Sequence, residues 1–282
     1  MPVRIVQSKH NARLKELRQA LGSPGRKGEL AGIEGPNLIE EAVRAGLAIR
    51  CVFVAQESER LLETLALPET TEILLVPRVA LGTALTTETP QPVAALVEPP
   101  DWTWPHLLGG RGKALPLIVI LAGLQDPGNL GTILRSAEAF GATGIVSLPG
   151  TVCAWNSKAV RASAGSVFRV PLIACNEREC FAELGEAGVA VWTTAVRAAQ
   201  PGNQFDLAQV DLARPVAVLI GNEGNGVSPD LARQAGGALT IPCPGPVESL
   251  NAAVAASVLL YESARQRSRN SGGSAEHRGA RR

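Results

Sequence analysis

The run LPLIVILAG at residues 115–123 leaves this chain the fewest choices of fold. An aliphatic stretch with no polar alternation does not fit a strand with one solvated face. It fits a strand buried on both faces, as in a parallel sheet covered by helices on either side. Further runs of this kind follow at GIVSL (144–148), VAVWTTA (189–195), PVAVLIG (215–221) and ALTIP (238–242). Helical patterns separate most of them, so residues 116–263 read as an α/β domain with a mainly parallel sheet. Aromatic residues are only 4% of the chain, and aliphatic and alanine side chains must therefore build the core.

A chain of 282 residues exceeds the usual size of one domain, and the first hundred residues read as a second one. Residues 8–21 place Leu14, Leu17 and Leu21 on one helical face, and GSPGRKGE after them is a loop. EGPNLIEEAVRAG reads as a helix, with Pro36 in its first turn, acidic side chains early and Gly46 as its stop. CVFVA (51–55), ILLV (73–76) and VAALV (93–97) are short strands, which makes residues 1–98 a small α/β domain. The Pro- and Gly-rich stretch 99–115 reads as a linker. Residues 264–282 lack apolar periodicity and read as a disordered basic tail.

The net charge of +1 conceals an uneven distribution. Residues 1–30 hold seven Lys/Arg against two Glu, and residues 264–282 hold six Arg against one Glu. Each end is thus +5 and the middle about −9, a pattern that suits an anionic partner held by the ends, or equally two solvated tails that aid solubility. No apolar segment is long enough for a membrane span, and the N-terminus lacks the pattern of a secretory signal, so a cytoplasmic protein is expected. The five cysteines, Cys51, Cys153, Cys175, Cys180 and Cys243, form no C-x-x-C pair and read as free core thiols.

Three segments lie where predicted strands end, the place open α/β sheets put their ligands. In LAGLQDPGNLGTILRSAEAFGA (121–142), Pro127, Gly128 and Gly131 shape a turn into a helix that Asn129 could cap. Arg135 lies further along that helix, with Glu138 three residues beyond, and the two could simply form an exposed pair. In VAVLIGNEGNGVSPDL (216–231), a glycine-rich turn follows a strand. Its G-x-x-G-x-G order is neither a dinucleotide fingerprint nor a P-loop. It could only reverse the chain, yet a turn does not require Glu223. In LTIPCPGPVESLNAAVAASVLLYE (239–262), Ser249 and Asn251 stand where a loop enters an alanine-rich helix that either could cap. The three histidines, His10, His106 and His277, lie outside these segments, which argues against histidine bases and histidine metal sites. Arg, Glu, Ser, Asn and backbone groups suit transfer of an already activated group, where positioning and charge stabilisation carry the catalysis.

Taken in order, these segments resemble the signature motifs of the SpoU (TrmH-type) RNA 2′-O-ribose methyltransferases of the SPOUT superfamily. N-L-G-T-I-L-R (129–135) is similar to the first motif, I-G-N-E-G-N-G (220–226) to the second and I-P-C-P-G-P-V-E-S-L-N-A-A-V-A (241–255) to the third. K-A-V-R-A-S-A-G-S-V-F-R-V-P (158–171) also matches the family's habit, and Cys243 departs from it, standing where the family often has Met or another apolar residue. The resemblance covers about residues 116–263. A looser one, through G-P-N-L-I-E-E-A (35–42), relates residues 1–98 to the family's RNA substrate-binding domain.

The resemblance implies a trefoil-knotted domain, S-adenosylmethionine as cofactor, a structured RNA substrate with ribosomal RNA favoured over tRNA, a homodimer with α-helix 251–263 at its interface, and no metal. It implies cofactor contacts at Thr194, Gly221, Ile241 and Leu250. Arg135 would be the catalytic cation, Asn129 and Ser249 would orient the nucleotide, Glu223 would hold Arg135 or other loop groups, and Asn251 would brace the third loop. A purely RNA-docking protein and a small-molecule enzyme with a nucleotide cofactor are the competing readings.

Overall fold

The computed structural model describes residues 3–8, 11–22, 28–109, 114–194, 204–247 and 249–276, in two compact units. The first unit consists of Met1–Asp101 together with Cys153–Arg169, and the second of Trp102–Val152 together with Val170–Arg282. The stretch 153–169, which holds most of the fourth resembling segment, therefore packs with the N-terminal part of the chain although it lies within 116–263.

The first unit contains β1 (Val3–Ile5), α1 (Ala12–Gly22), β2 (Ala31–Glu34), α2 (Pro36–Arg44), β3 (Ile49–Ala55), β4 (Glu72–Val76), α3 (Arg78–Gly82) and β5 (Val93–Val97). They form a sheet of order β1-β4-β3-β5-β2, with β5 antiparallel to both of its neighbours. β5 is buried along its whole length, as its unbroken apolar run demands. Leu14, Leu17 and Leu21 of α1 are buried, as their spacing predicts. β2 is the strand that pattern reading misses. Its four residues include a glycine and a glutamate, and only pairing with β5 makes a strand of them. Pro36 does open α2, but its first turn holds no acidic residue, and Glu40 and Glu41 come later.

The second unit contains α4 (Trp104–Leu107), β6 (Leu117–Leu121), α5 (Pro127–Ala139) and β7 (Gly144–Ser147). The chain then contributes α6 (Ser157–Ser163) to the first unit and returns as β8 (Leu172–Ala174), α7 (Glu177–Glu186), β9 (Ala190–Thr194), β10 (Gln204–Asp206), β11 (Val216–Ile220), α8 (Pro229–Gln234), β12 (Ala238–Thr240) and α9 (Ala252–Glu276). The sheet runs β10-β12-β9-β11-β6-β7-β8, and its pairings are all parallel. Ile118, Ile120, Ala217 and Leu219 of the central strands pack on one face with Leu107, Cys180, Leu184 and Leu231. α5 and α9 pack against each other, with Ser136 and Ser257 Oγ atoms 2.7 Å apart and Phe140 edge-on to Tyr261.

Three expectations change. The linker stretch holds α4, whose Thr103–His106 capping box and fully buried Leu107 make it part of the second unit's core. Cys243 is exposed, and Cys153 and Cys175 are only partly covered, so just Cys51 and Cys180 are core thiols. Much of the basic tail is ordered helix, because α9 continues to Glu276; residues 277–282 lie outside the described residues. Hydrogen bonds hold it where apolar periodicity does not. Arg265 forms a bidentate pair with Glu262, and Gln266 bonds the Leu212 amide and the Val210 carbonyl. The Arg267 guanidinium donates to the carbonyls of Leu115 at 2.6 Å, Pro116 and Arg214 at 2.8 Å and Leu212 at 3.3 Å. At the other end, Arg13 pairs with Glu16 and Glu72, and Arg18 donates to the Thr83 carbonyl. Part of the basic charge at both ends is thus engaged within the protein, while Lys9, His10, Arg26 and Lys27 lie outside the described residues.

Arg267→Met keeps the stem of the side chain and removes its donors, leaving carbonyls short of partners. It is expected to lower the unfolding free energy by about 2–4 kcal/mol. The denaturant midpoint should fall without a change of slope. Arg267→Lys should recover only part of the loss, since one ammonium cannot reproduce the fork.

Candidate active site

Register brings the three segments together. Leu121, the last residue of β6, stands opposite Ile220, the last of β11, and β9 and β12 continue the row with Thr193 beside Leu219 and Thr194 beside Leu239. The carboxyl ends of these four strands therefore lie side by side, and the loops leaving them share one edge of the sheet.

The first loop runs from Gly123 to the start of α5. Its cap is Asp126, whose Oδ1 accepts from the Gly128 amide at 2.7 Å, and not Asn129. Asp126 suffices because Pro127 fills the first helical position and has no amide to satisfy. Asn129, inside the first turn, is left with a free carboxamide. The second loop is a tight turn closed by reciprocal main-chain bonds between Asn222 and Gly226 at 3.0 and 2.9 Å. A Cβ on Gly221 would lie 2.2 Å from the Gly226 carbonyl carbon, so glycine at 221 is already required by the turn itself. The turn presents Glu223 to the first loop. Its carboxylate accepts from the amides of Gln125 and Asp126, both at 3.2 Å, and from Asn129 Nδ2 at 2.9 Å.

The third loop completes the network through Asn251, which caps α9, and not through Ser249. Asn251 Oδ1 accepts from the amides of Ala253 and Val254, and its Nδ2 donates to Asn129 Oδ1 at 3.0 Å. The helix amides fix Asn251 oxygen-first toward α9. Its nitrogen must then donate to Asn129, which in turn must donate to Glu223, whose ionised carboxylate can only accept. Burial raises the Glu223 pKa, but the bonds from Asn129 and from the Gln125 and Asp126 amides outweigh it and hold the carboxyl below the usual carboxylate range.

Arg135 and Ser249 are exposed, and among the described residues no hydrogen bond or ion pair engages either side chain. Glu223 thus holds loop groups and not Arg135. Sequence reading passed over Asn222 and Thr151. Asn222 Nδ2 donates to the Gly123 carbonyl at 2.9 Å, and its Oδ1 accepts from the amides of Gly224 and Asn225. The asparagine-glycine composition of 222–226 carried a signal for such a turn, whereas Thr151 lay outside every segment singled out.

The four residues assigned to the cofactor sit on the same edge. Thr194 ends β9, with its hydroxyl spent on the Leu219 carbonyl at 3.1 Å; Gly221 follows β11, and Ile241 follows β12. Ile241 and Leu250 are half-buried, offering apolar surface for a purine beside the main chain of the strand ends. That donor set suits the adenosyl part of S-adenosylmethionine. Among the described residues no group of His, Cys, Asp and Glu could hold a metal ion, and no helix is long and apolar enough to cross a membrane.

Residues 116–261 match the model of the SpoU rRNA Methylase family, and residues 11–95 match that of the MRM3-like substrate binding domain. The chain is 33% identical over 233 residues to the 23S rRNA (guanosine(2553)-2′-O)-methyltransferase RlmP of Bacillus subtilis, covering 81% of this chain and 86% of that protein. Among solved structures, the AdoMet-bound rRNA methyltransferase from Sinorhizobium meliloti is similar with a TM-score of 0.77 and 30% identity, covering 93% of this chain and 98% of that one. The SpoU methyltransferase AviRb from Streptomyces viridochromogenes, in complex with AdoMet, aligns with a TM-score of 0.76 and 28% identity over 92% of this chain and 98% of that one. With its three motifs joined at one sheet edge, the chain belongs to the SpoU rRNA methylase family and is an S-adenosylmethionine-dependent RNA 2′-O-ribose methyltransferase.

Proposed function

We propose that the substrate is structured ribosomal RNA, in preference to tRNA, and that the protein works in the cytoplasm as a homodimer without a metal ion. One observation carries the site assignment. Glu223, Asn129 and Asn251 satisfy one another across three loops, while Arg135 and Ser249 are left unengaged among the described residues beside them in the motifs. A protein used only for docking RNA has no need of such a network. The ribosomal target is supported by the substrate-binding model matched at 11–95 and by the 23S rRNA named for the B. subtilis relative. The dimer is supported by α9, which leaves Val254 and Tyr261 exposed seven residues apart on one face. The family's trefoil knot belongs to the same proposal.

S-adenosylmethionine supplies a methyl group already activated on a sulfonium centre. The chain's own work is to hold the ribose and to stabilise charge on its 2′-oxygen. A guanidinium offers only donors and no lone pair to take up a proton, so Arg135 serves as a hydrogen-bonding cation for a phosphate and the emerging alkoxide, and not as the base. Ser249 offers a hydroxyl to the nucleotide. Asn129 keeps one amide hydrogen and one carbonyl lone pair beyond its bonds to Glu223 and Asn251. Glu223 and Asn251 hold the loops in register.

Isothermal titration with S-adenosylmethionine, followed by mapping of 2′-O-methyl sites in RNA from cells with and without the gene, tests the assignment. Absence of micromolar cofactor binding would favour docking alone, and a lost tRNA mark would overturn the ribosomal target. Arg135→Ala is expected to cut turnover about a hundred- to a thousand-fold with cofactor affinity nearly intact; unchanged turnover would remove Arg135 from the mechanism.

Glu223 gives a prediction in pH. Its folded-state pKa is lowered, so its ionised form favours the ordered loops. That contribution is complete above the ordinary glutamate value of about 4.3 and is lost as pH falls through the lowered one. NMR shifts of the Gln125 and Asp126 amides should therefore stay constant from neutral pH down to about 4.3 and move only below it. In Glu223→Gln that transition should be absent.

A further inference from the structure

Both main-chain polar groups of Gly123 are held by side chains of two other loops. Its N–H donates to Thr151 Oγ1 at 3.0 Å, and its carbonyl accepts from Asn222 Nδ2 at 2.9 Å. The Thr151 hydroxyl, while accepting that bond, donates its own hydrogen to the Leu121 carbonyl at 3.0 Å. The Val152 amide adds a bond to the Leu124 carbonyl at 2.8 Å, and the Leu148 amide one to the Leu121 carbonyl at 2.9 Å. The turn 148–152 therefore takes up polar main-chain groups of Leu121, Gly123 and Leu124, the residues through which β6 passes into the first loop. Gly123 has φ +72°, and a Cβ on Gly150 would lie 3.6 Å from the Gly123 Cα, so the two backbones pass in close contact there.

This arrangement sits directly under the reactive loop. Gly123 stands three residues before Asp126, the cap of α5, and six before Asn129, and Arg135 rides on the helix so started. Asn222 adjoins Glu223 in the second loop. Its two bonds to the Gly224 and Asn225 amides shape that turn, while its third reaches the first loop. A single hydroxyl and a single carboxamide thus set the height and angle of both loops that Glu223 ties together. We propose that Thr151 is a positioning residue for methyl transfer, acting through Gly123 and Asn222 to fix Asn129 and Arg135 against the ribose. The proposal rests on the methyltransferase reading of this site and adds a residue from outside the three motifs. Thr151 touches neither substrate nor cofactor in this role.

The geometry gives Thr151 a distinctive signature. Its hydroxyl is donor and acceptor at once, and a threonine-shaped side chain without it fills the same space while meeting neither need. A misplacement of about 1 Å at a reacting centre can cost about a hundred-fold in rate, whereas three of the four positions assigned to the cofactor, Thr194, Ile241 and Leu250, lie on other loops, and the fourth, Gly221, is held by the Asn222–Gly226 main-chain bonds of its own turn. A loss of positioning should therefore appear in kcat and leave cofactor binding alone.

The test compares Thr151→Val and Thr151→Ser with the unaltered full-length chain. Methyl transfer from S-adenosylmethionine to ribosomal RNA is measured beside cofactor affinity by calorimetry and the thermal midpoint. Thr151→Val is expected to lower kcat ten- to a hundred-fold, with cofactor Kd and RNA KM within about two-fold of the unaltered chain. Thr151→Ser, which restores the hydroxyl, is expected to recover most of the rate. Asn222→Ala should also lower kcat, and the double variant with Thr151→Val should fall short of the product of the two effects, since both side chains act on the one residue Gly123. Full activity in Thr151→Val would overturn the proposal. So would a loss that Thr151→Ser does not rescue, or one matched by an equal fall in cofactor affinity and thermal midpoint, because each marks a merely structural side chain. If the unaltered chain itself fails to transfer methyl groups to RNA, the functional reading falls instead, and that result is distinct from any of these.

Discussion

The Glu223 carboxylate reaches across from the second loop to take three N–H groups of the first, and the organisation of the site depends on that crossing. An ionised acceptor makes each of these bonds stronger than a neutral group would. The crossing is short because β6 and β11 are paired neighbours ending in register, Leu121 opposite Ile220. Asn251 then imposes a direction. Its oxygen is committed to the amides at the start of α9, so its nitrogen must donate to Asn129, and Asn129 must pass a donor to Glu223. Three loops, with Asn129 and Asn251 122 residues apart in the chain, are thereby locked by one chain of hydrogen bonds with a single consistent polarity.

α9 connects this site to the stability of its unit. Its first turn supplies Asn251's partners at the carboxyl ends of the strands. Sixteen residues later, or about 24 Å along a helix, Arg267 grips the carbonyls of Leu115, Pro116 and Arg214 at the amino ends of β6 and β11. The helix is fastened at both ends of the same two strands, with Ser257 bonded to Ser136 of α5 between them. The helix that caps the third loop therefore cannot shift along the sheet without breaking bonds at its far end. Satisfying several carbonyls with one fork also explains an arginine there, since lysine lacks the geometry.

The buried strands of the second unit were legible because parallel pairing buries both faces and leaves unbroken aliphatic runs, as in 117–121 and 216–220. The edge strands β1, β8 and β10 were not, since three residues carry no periodicity. β2 escaped because AGIE becomes a strand only against β5. The order in the tail escaped for another reason. Arg265, Gln266 and Arg267 secure α9 through hydrogen bonds to distant carbonyls and a glutamate, and such bonds leave no hydrophobic pattern to read. In the site, Arg135, Asn129, Glu223, Ser249 and Asn251 were legible as motif residues. Their division of labour was not, because whether Asn129 or Asp126 caps α5 depends on which side chain Glu223 and Asn251 draw away.

By itself, the sequence determined the layered α/β class, the helix–strand alternation, the absence of histidine from the three motif segments and, through its motifs, membership of a methyltransferase family. These follow from local properties: which side chains avoid water, and which residue types occur in what order. Only the tertiary structure decided that 153–169 packs with the first unit, that residues 264–276 of the tail are helix, that Glu223 holds Asn129 and not Arg135, and that Thr151 and Asn222 grip Gly123 from opposite sides. Each of these is a directed contact between residues distant in the chain, and its existence depends on strand order and register, which no local pattern encodes.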